Sequence, residues 1–410
     1  MRVLMINQVF YPDVAATAQH GHDLARDLVR NGHQVTAIAS RSIYGDKGSV
    51  LPSRETVDGI EIHRVGRSFF GKVGIAGRFA DFFLFYVAAL FKALLLPRHD
   101  VVVCFTTPPF IAVVGRVLRR VKRTRFVYWV MDLYPDVAIA AGLMKERGLG
   151  ARFLEMINRG CLRKADAVVV LGRCMRDRVL AKGVDPSRVE LIGVWSDHSE
   201  IDPESSEVNG YREEWGIEDR CLVMYSGNFG IGHEVDTFLE AAHRLRDDDT
   251  IRFAFVGGGK RKSDVESYVE RHGLQRTCIL APYQPRERLG DLLTAADVHL
   301  TTMLPGWSGV MVPSKLFGVL AAARPVLFIG PTESEVSQII EELDCGSTIA
   351  PGDTDELVVR IKDLVRDPDR ARASGLRGRN GLLEEHDAPH RLVGWRSLLE
   401  RVVNQARGSA

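Results

Sequence analysis

Hydrophobic residues along this chain fall into short, nearly continuous runs, separated by segments in which apolar positions recur every three to four residues. Many of the runs are nearly continuous in Val, Ile, Leu and Phe and do not alternate with polar residues, so they predict strands covered on both faces of a parallel sheet. Seven runs occupy the first half of the chain, at residues 3–9, 34–39, 60–65, 101–105, 126–130, 167–171 and 189–194. Six more follow in the second half, at residues 222–226, 251–256, 278–281, 298–302, 326–329 and 347–350.

Segments with helical periodicity lie between these runs, for example at residues 21–30, 235–245 and 355–365. Strands that alternate with helices are typical of parallel βαβ units. A stretch rich in Asp, Glu, Ser and Pro, residues 196–216, separates the two series and predicts a hinge. The pattern therefore predicts an α/β protein with two doubly wound parallel-sheet (Rossmann-like) domains facing across a cleft.

The predicted domain boundaries follow from the same pattern. The first domain is expected to cover residues 1–196 and the second residues 197–385. A last helical stretch, within residues 386–410, comes too late to belong to a simple βαβ run, so we expect it to pack back on the first domain. A chain of 410 residues is long enough for two or three domains of ordinary size.

Composition and charge narrow the class of protein. The formal net charge is +1, with 45% hydrophobic and 26% charged residues, so nothing in the overall balance indicates a nucleic-acid partner. The six cysteines form no C-x-x-C pair, and this spacing indicates neither a zinc site nor a disulfide framework. The longest apolar run, residues 82–96 with one lysine, is shorter than the ~20 residues needed to span a bilayer. We expect a cytoplasmic protein.

Three small-residue loops lie at the carboxyl ends of predicted strands of the second series, at residues 225–234, 255–260 and 307–315. In open parallel sheets, ligands bind at the carboxyl ends of the strands, and glycine lets the backbone approach them closely. Pro313 is expected in the first turn of a helix, where free N–H groups favour an anion, and Lys315 adds a mobile charge. The loops therefore predict a site for a diphosphate group. An ordinary strand-to-helix turn, which also needs glycine, is the alternative.

A carboxylate in the first series is a further candidate. Asp132 follows the apolar run 126–131 and precedes a Tyr-Pro turn, so it is expected at the sheet edge. There it could orient or deprotonate an acceptor hydroxyl. A helix cap or a turn-forming aspartate is the alternative. His20 and His22, near the opening loop, are expected to be surface residues of the first helix.

The layout resembles the GT-B-fold glycosyltransferases of family 4, a retaining group that uses nucleotide sugars. The Phe-Tyr-Pro-Asp segment at residues 10–13, followed by residues 31–35, is similar to that group's opening strand, acceptor loop and first helix. Residues 132–136 resemble the "D-L-W-P-E" segment of its bacterial surface-polysaccharide branch. Residues 227–230 and 312–315 also match that branch.

The resemblance implies a hexosyltransferase that moves a sugar from a nucleotide-diphosphate donor, with UDP the expected nucleotide, to a polysaccharide precursor or a lipid-linked acceptor. No acidic pair suited to Mg²⁺ stands out in the second domain, so we predict neither a metal ion nor a cofactor. The predicted catalytic residues are Asp132 and Lys315, and the predicted acceptor residues are Asp13, Ala15 and Ala16. The predicted donor-binding residues are Gly227, Asn228, Phe229, Gly230, His233, Gly257, Gly258, Gly259, Tyr283, Ser308, Gly309, Val310 and Ser314.

Several positions depart from the family pattern. Family members commonly carry a glutamate at each end of the segment 310–318, where this chain has Val310 and Gly318. They also place an arginine and a lysine where this chain has Asn228 and His233. Lys315, His233 and backbone N–H groups are therefore expected to hold the diphosphate, with Arg324 and the basic run 260–262 as further candidates. That run is more simply interpreted as a solvated charge cluster.

Two segments indicate contact with a membrane surface. Residues 75–96 are aromatic and aliphatic on nearly every face, and a basic cluster follows at Arg116, Arg119, Arg120, Lys122, Arg123 and Arg125. Together they could seat the first domain on the anionic inner face of the cell membrane. A buried helix and a solvated helix end are the alternatives.

Other functions of the same fold class stay open. A nucleotide-sugar epimerase of this fold, or a non-catalytic sugar-nucleotide-binding subunit, would share most of these features. A dinucleotide dehydrogenase is disfavoured because no G-x-G-x-x-G motif follows the first strand.

Overall fold

A computed structural model describes residues 1–13, 15–43, 50–66, 74–203, 209–217 and 219–407. The chain divides into two compact units. Unit 1 comprises residues 1–193 and 392–410, and unit 2 comprises residues 194–391. Each unit is built on one sheet.

Unit 1 contains an eight-stranded sheet in the order β3-β4-β2-β1-β5-β6-β7-β8. All neighbouring strands are parallel except β3 and β4. Beyond their first residues the central strands β1, β2, β5, β6 and β7 are buried, which explains their largely apolar sequences. The strands are β1 (Arg2–Ile6), β2 (Gln34–Ser40), β3 (Arg54–Val57), β4 (Ile60–Val65), β5 (Val101–Cys104), β6 (Arg125–Trp129), β7 (Ala167–Val170) and β8 (Val189–Leu191).

Helices connect these strands and cover the sheet. They are α1 (Ala16–Arg30), α2 (Gly74–Leu95), α3 (Ala112–Val121), α4 (Asp136–Ala140), α5 (Leu149–Leu162) and α6 (Arg173–Ala181). The last helix of the chain, α15 (Ala388–Arg407), lies in unit 1 from Leu392 onward. Its Trp395 is fully buried against Trp129, with ring centroids 4.4 Å apart. Its Arg396 forms an ion pair with Asp27 of α1.

Unit 2 contains a six-stranded, entirely parallel sheet in the order β11-β10-β9-β12-β13-β14. Its strands are β9 (Cys221–Ser226), β10 (Ile251–Val256), β11 (Cys278–Ala281), β12 (Val298–Thr302), β13 (Val326–Ile329) and β14 (Gly346–Ile349). Its helices are α7 (Gly210–Glu214), α8 (Asp236–Arg244), α9 (Lys262–Arg271), α10 (Leu289–Ala295), α11 (Lys315–Ala321), α12 (Glu335–Leu343), α13 (Thr354–Arg366) and α14 (Pro368–Gly381).

The hydrophobic pattern located the strands well. Each of the thirteen predicted runs overlaps a strand, and five of them (60–65, 251–256, 278–281, 298–302 and 326–329) match to the residue. The sequence analysis missed β3, an edge strand whose four residues, Arg-Glu-Thr-Val, lack an apolar run. None of the described helices combines the length and apolar character that crossing a bilayer requires.

The prediction for the two histidines of α1 was wrong. His20 and His22 are each only 7% exposed. The ring of His22 stacks on Tyr11 at 4.7 Å, and its Nε2 lies 3.3 Å from Asp58 of the β3–β4 turn. This turn follows β3, which the sequence analysis missed. The contact between Asp58 and His22 was therefore not predicted.

Candidate active site

Two glycine loops meet at the carboxyl edge of the sheet of unit 2. Gly227, Gly257 and Gly259 all have φ between 125° and 129°, a region that strongly favours glycine. A Cβ on Gly257 would lie 2.0 Å from the Gly227 carbonyl oxygen, and one on Gly259 would lie 2.4 Å from Oδ1 of Asn228. The loops after β9 and β10 are therefore in contact through backbone atoms that leave no room for a side chain.

Several backbone amides of these loops already have partners. Gly227 N–H donates to the Val256 carbonyl and Gly257 N–H to the Ala281 carbonyl, both at 2.9 Å. Phe229 N–H donates to the Gly258 carbonyl at 2.7 Å. These three groups hold the loops in shape and could serve a ligand only by breaking an internal hydrogen bond.

The lysine of the third loop reaches into the first. Lys315 Nζ donates to the Asn228 carbonyl at 2.9 Å and to the Tyr225 hydroxyl. It also lies 4.2 Å from the centre of the Tyr225 ring, within cation–π range. Gly227 makes room for it, since a Cβ there would lie 2.5 Å from Cε of Lys315. Burial lowers the pKa of Lys315 to about 7.

His233 holds this lysine in place. Its Nδ1 lies 2.8 Å from the Thr302 carbonyl, which can only accept, so Nδ1 carries the proton. The lone pair of Nε2 is then left to face Lys315 Nζ at 3.4 Å. Burial and the adjacent lysine lower the pKa of His233 to about 3. The imidazole is therefore neutral and supplies no positive charge, contrary to the expectation that it would share in binding the diphosphate.

The third loop itself starts its helix later than expected. Pro313 was predicted in the first helical turn, but α11 begins at Lys315 after Ser314. The first hydrogen bond at the start of α11 runs from Phe317 N–H to the Ser314 carbonyl, 3.2 Å apart, and does not include Pro313. Pro313 thus ends the loop and does not enter the helix.

The start of this loop packs against the first one. Leu304 N–H donates to the Gly232 carbonyl at 2.8 Å, and the Trp307 ring lies where a Cβ of Gly232 would be. Gly309 has φ 71°, and Val310 N–H closes a turn onto the Trp307 carbonyl at 3.0 Å. Val310 is 1% exposed, so its side chain packs in the interior of the protein. Ser308 lies in this turn and is partly exposed.

Tyr283 offers an aromatic surface beside the second loop. Its side chain is 57% exposed, and its hydroxyl donates to the Gly258 carbonyl at 3.2 Å. The ring packs on Gly258, where a Cβ would lie 2.9 Å from it. One face of a fixed ring next to glycine backbone is suited to stacking on a flat ligand group.

The other basic candidates have structural roles. Lys262 donates to the Phe255 carbonyl at 2.7 Å, and Arg261 donates to the His233 carbonyl at 3.0 Å. The interpretation of residues 260–262 as a solvated cluster was therefore wrong for Arg261 and Lys262. Their side chains donate to backbone carbonyls and so stabilise the loops. Arg324 precedes β13, at the opposite edge of the sheet, and donates to the Thr294 and Ala296 carbonyls. It is not a diphosphate ligand.

In unit 1, Asp132 lies beyond the carboxyl end of β6. Its N–H donates to the Thr106 hydroxyl, 3.2 Å away on the segment after β5. The alternative of a helix cap does not hold, because the next helix, α4, begins at Asp136 with Pro135 at the capping position. Burial raises the pKa of Asp132 to about 6. A carboxylate with that pKa is suited to accept a proton near neutral pH.

The predicted acceptor residues lie at the start of α1. Asp13 is 6% exposed, and its Oδ1 accepts a hydrogen bond from Ala15 N–H at 3.0 Å. Ala15 occupies the capping position of α1, and Ala16 is its first residue. Asp13 therefore stabilises the loop between β1 and α1. A loop with a fixed shape is suited to form part of an acceptor site.

Sequence analysis did not single out three residues that organise these sites. Tyr225 and Thr302 fix Lys315 and His233, and Thr106 fixes the backbone of Asp132. All three lie at or just beyond the ends of strands, and that position was the one signal that could have identified them.

A test of the glycine contact is the substitution Gly257→Ala. We expect it to abolish donor binding and to lower the free energy of unfolding by about 1–3 kcal/mol, because the new methyl group collides with the Gly227 carbonyl. Gly352→Ala is the matched control, with φ 88° but nothing within 4 Å of the new atom. Urea denaturation and a ligand-binding titration measure the two effects. Equal losses in both variants would show that backbone strain, and not the contact, is responsible.

Comparison with known protein families supports this layout. Residues 16–195 match the model of the glycosyl transferase 4-like domain, and residues 208–380 match that of the glycosyl transferases group 1. The chain is 29% identical to a probable glycosyltransferase, WbjE of Pseudomonas aeruginosa, over 69% of each chain. It is 24% identical to the putative colanic acid biosynthesis glycosyl transferase WcaI of Escherichia coli K12, over the whole of both chains.

Solved structures share the fold. A sucrose-phosphate synthase from Thermosynechococcus elongatus superimposes with a TM-score of 0.78 at 16% identity, covering 99% of this chain and 100% of that one. Anabaena HepE in complex with UDP-glucose gives a TM-score of 0.72 at 12% identity, covering 100% of both chains. These solved structures and the two parallel-sheet units of this chain thus share one fold.

Proposed function

The chain belongs to the family 4 glycosyltransferases of the GT-B fold, and on that premise we propose that it is a retaining hexosyltransferase using a UDP-sugar. The observation that carries the proposal is the position of Lys315. The partly buried side chain of Lys315, held by Tyr225, Asn228 and His233, lies among the glycine loops at the carboxyl edge of the sheet. This is the edge at which open parallel sheets bind ligands.

The donor is assigned to unit 2. We assign the Lys315 ammonium to the diphosphate and the exposed ring of Tyr283 to the base. HepE, a protein of this fold, binds UDP and UDP-glucose, which supports uridine as the base. Ser308, Gly309 and Ser314 flank the lysine and are assigned to the sugar and phosphate groups.

The leaving group explains why a cation is needed. When the bond between the sugar and the diphosphate breaks, negative charge builds up on the departing phosphate oxygen. A cation fixed in place beforehand stabilises that charge without having to reorganise during the reaction. Asn228 and His233 replace the arginine and lysine of other family members, so in this chain Lys315 carries more of that task.

The acceptor is assigned to unit 1, as a polysaccharide precursor or a lipid-linked glycan. Asp132 is the residue proposed to orient and deprotonate the attacking hydroxyl, and Asp13, Ala15 and Ala16 are proposed to shape an acceptor loop after β1. Retention of configuration at the sugar is proposed from the family. It is checked by the anomeric proton coupling of the first product formed, measured by NMR.

The experiment that tests this function is a thermal-shift screen with the full chain. UDP at about 100 times its dissociation constant should stabilise the folded state by about 2.7 kcal/mol, because it binds only that state. UDP-sugars should act similarly, and the sugar that also supports turnover identifies the donor. Stabilisation by nicotinamide dinucleotides without any response to UDP would contradict the proposal.

We also expect transfer to proceed without a divalent cation. Among the described residues, no group of three or more His, Cys, Asp and Glu side chains is arranged to hold a metal ion. Initial rates measured after dialysis against EDTA should stay within about twofold of those measured with added Mg²⁺, because Lys315 provides the charge that a metal would otherwise supply. A loss of tenfold or more, restored by Mg²⁺, would show that the reaction depends on the metal.

A further inference from the structure

An apolar stripe runs along the outside of α2. Phe83, Val87, Phe91 and Leu95 recur every fourth residue and are 65%, 52%, 65% and 67% exposed. Residues at this spacing lie on one face of a helix. Isolated exposed apolar residues are ordinary, but a continuous row of this kind marks a surface that contacts something other than water.

The neighbouring helices extend this surface. On α5, Leu149, Phe153 and Met156 are 84%, 58% and 62% exposed and again lie on one face. Between α2 and α5 lies α3, which contacts both and exposes Val113 and Val121. The exposed face of α2, α3 and α5 therefore forms one apolar surface of unit 1, and the sequence analysis had foreseen only its first part.

Arginines accompany the apolar residues. Arg116, Arg120 and Arg123, in or just after α3, are exposed, as is Arg152 of α5. The rest of the predicted basic cluster has internal partners: Arg119 and Arg125 pair with Asp166, and Lys122 donates to the carbonyls of Ala93 and Leu96. The exposed half of the cluster thus lies on the apolar face.

We infer that the exposed face of α2, α3 and α5 seats this protein on an anionic lipid surface. Large apolar side chains flanked by arginines match the interface of a bilayer, where rings enter the acyl boundary and guanidinium groups meet phosphates. The inference goes beyond the proposed function and does not depend on it.

The surface borders the edge of the sheet where Asp132 lies. The Tyr86 hydroxyl of α2 donates to the Pro109 carbonyl, in the segment that follows β5 and also contains Thr106. The Thr106 hydroxyl in turn accepts from Asp132 N–H. A lipid surface against α2 would therefore bring a lipid-linked acceptor close to the carboxylate proposed to activate it.

The test is co-sedimentation of the full chain with vesicles. Binding to equimolar phosphatidylglycerol and phosphatidylcholine should exceed binding to phosphatidylcholine alone, and it should fall at high salt. Phe91→Ser and Phe153→Ser should each lower the partition coefficient roughly tenfold. The double variant Arg116→Gln, Arg120→Gln should lower it for anionic vesicles by roughly tenfold or more.

The controls separate this effect from damage to the fold. Val359→Ser removes a half-exposed valine of unit 2, and Arg370→Gln with Arg372→Gln removes two exposed arginines there. These variants should bind vesicles as the unaltered protein does, and all variants should keep its circular dichroism spectrum. Equal binding to both lipid compositions, or binding that Phe91→Ser and Phe153→Ser leave unchanged, overturns the inference. So does a dimer in sedimentation equilibrium that both substitutions dissociate, since the surface would then join two copies.

Discussion

Replacing Lys315 with methionine is expected to lower the rate of glycosyl transfer by about 10²- to 10³-fold, the effect of removing one fixed group that stabilises charge in a transition state. Methionine keeps most of the volume and the apolar stem that packs on Gly227 and Tyr225, so the loops should keep their shape. The loss should appear in both kcat and donor affinity, because the cation faces the diphosphate before and during bond breaking. Initial-rate kinetics with varied donor measure it.

A matched control is Lys260→Met, which removes an exposed charge from the second glycine loop. It should change kcat/KM less than threefold, since an exposed charge is screened by water. Equal effects of the two substitutions would mean that general electrostatic attraction, and not a specific contact with Lys315, holds the donor.

The pH dependence of donor binding gives an independent check on Lys315. Burial lowers its pKa to about 7 in the free protein, so the side chain loses its proton as the pH rises past that value. A bound diphosphate would raise this pKa, and donor binding above pH 7 would therefore take up a proton. The dissociation constant of UDP should then increase with pH above 7, by at most roughly tenfold per unit, and Lys315→Met should remove this dependence.

The sequence predicted the fold more completely than the contacts within the site. A strand covered on both faces must be apolar throughout, so its position can be seen in the residues of the strand itself, as at 251–256. An edge strand such as β3 has no such requirement, and it was missed. The burial of His22 was missed with it, because the cover comes from Asp58 in the adjoining turn.

Within the site, the sequence identified Lys315 but not what surrounds it. The partners of Lys315 Nζ lie 82 to 90 residues away along the chain, and only the parallel order of β9 and β12 brings them together. The proton position on His233 depends on one carbonyl, that of Thr302. The contacts of Arg261 and Lys262 with backbone carbonyls were missed for a similar reason. No pattern in the neighbouring sequence distinguishes these residues from solvated charges.

The second large effect is expected for Asp132→Asn, which keeps the shape of the side chain and removes its basicity. If Asp132 deprotonates the acceptor, kcat should fall by about 10²- to 10⁴-fold. In the unaltered protein, kcat/KM for the acceptor should decline below pH 6, because burial raises the pKa of Asp132 to about 6 and protonation ends its role as a base. The variant should lack this acid limb, and rates measured from pH 5 to 8 would show it.

The same pKa shift predicts that Asp132→Asn stabilises the protein. Because the folded-state pKa lies above that of an unfolded aspartate, the folded state disfavours the ionised carboxylate, and stability is lost as the pH rises from about 4 through 6. Asparagine avoids this loss, so at pH 8 the variant should be about 1–3 kcal/mol more stable to urea, and the difference should vanish near pH 4. Asp177→Asn, at an exposed aspartate, is the control and should change neither stability nor rate. A stabilised variant with full activity would place Asp132 outside the reaction, whereas an inactive variant with unchanged stability would show that its carboxylate is not buried in the folded protein.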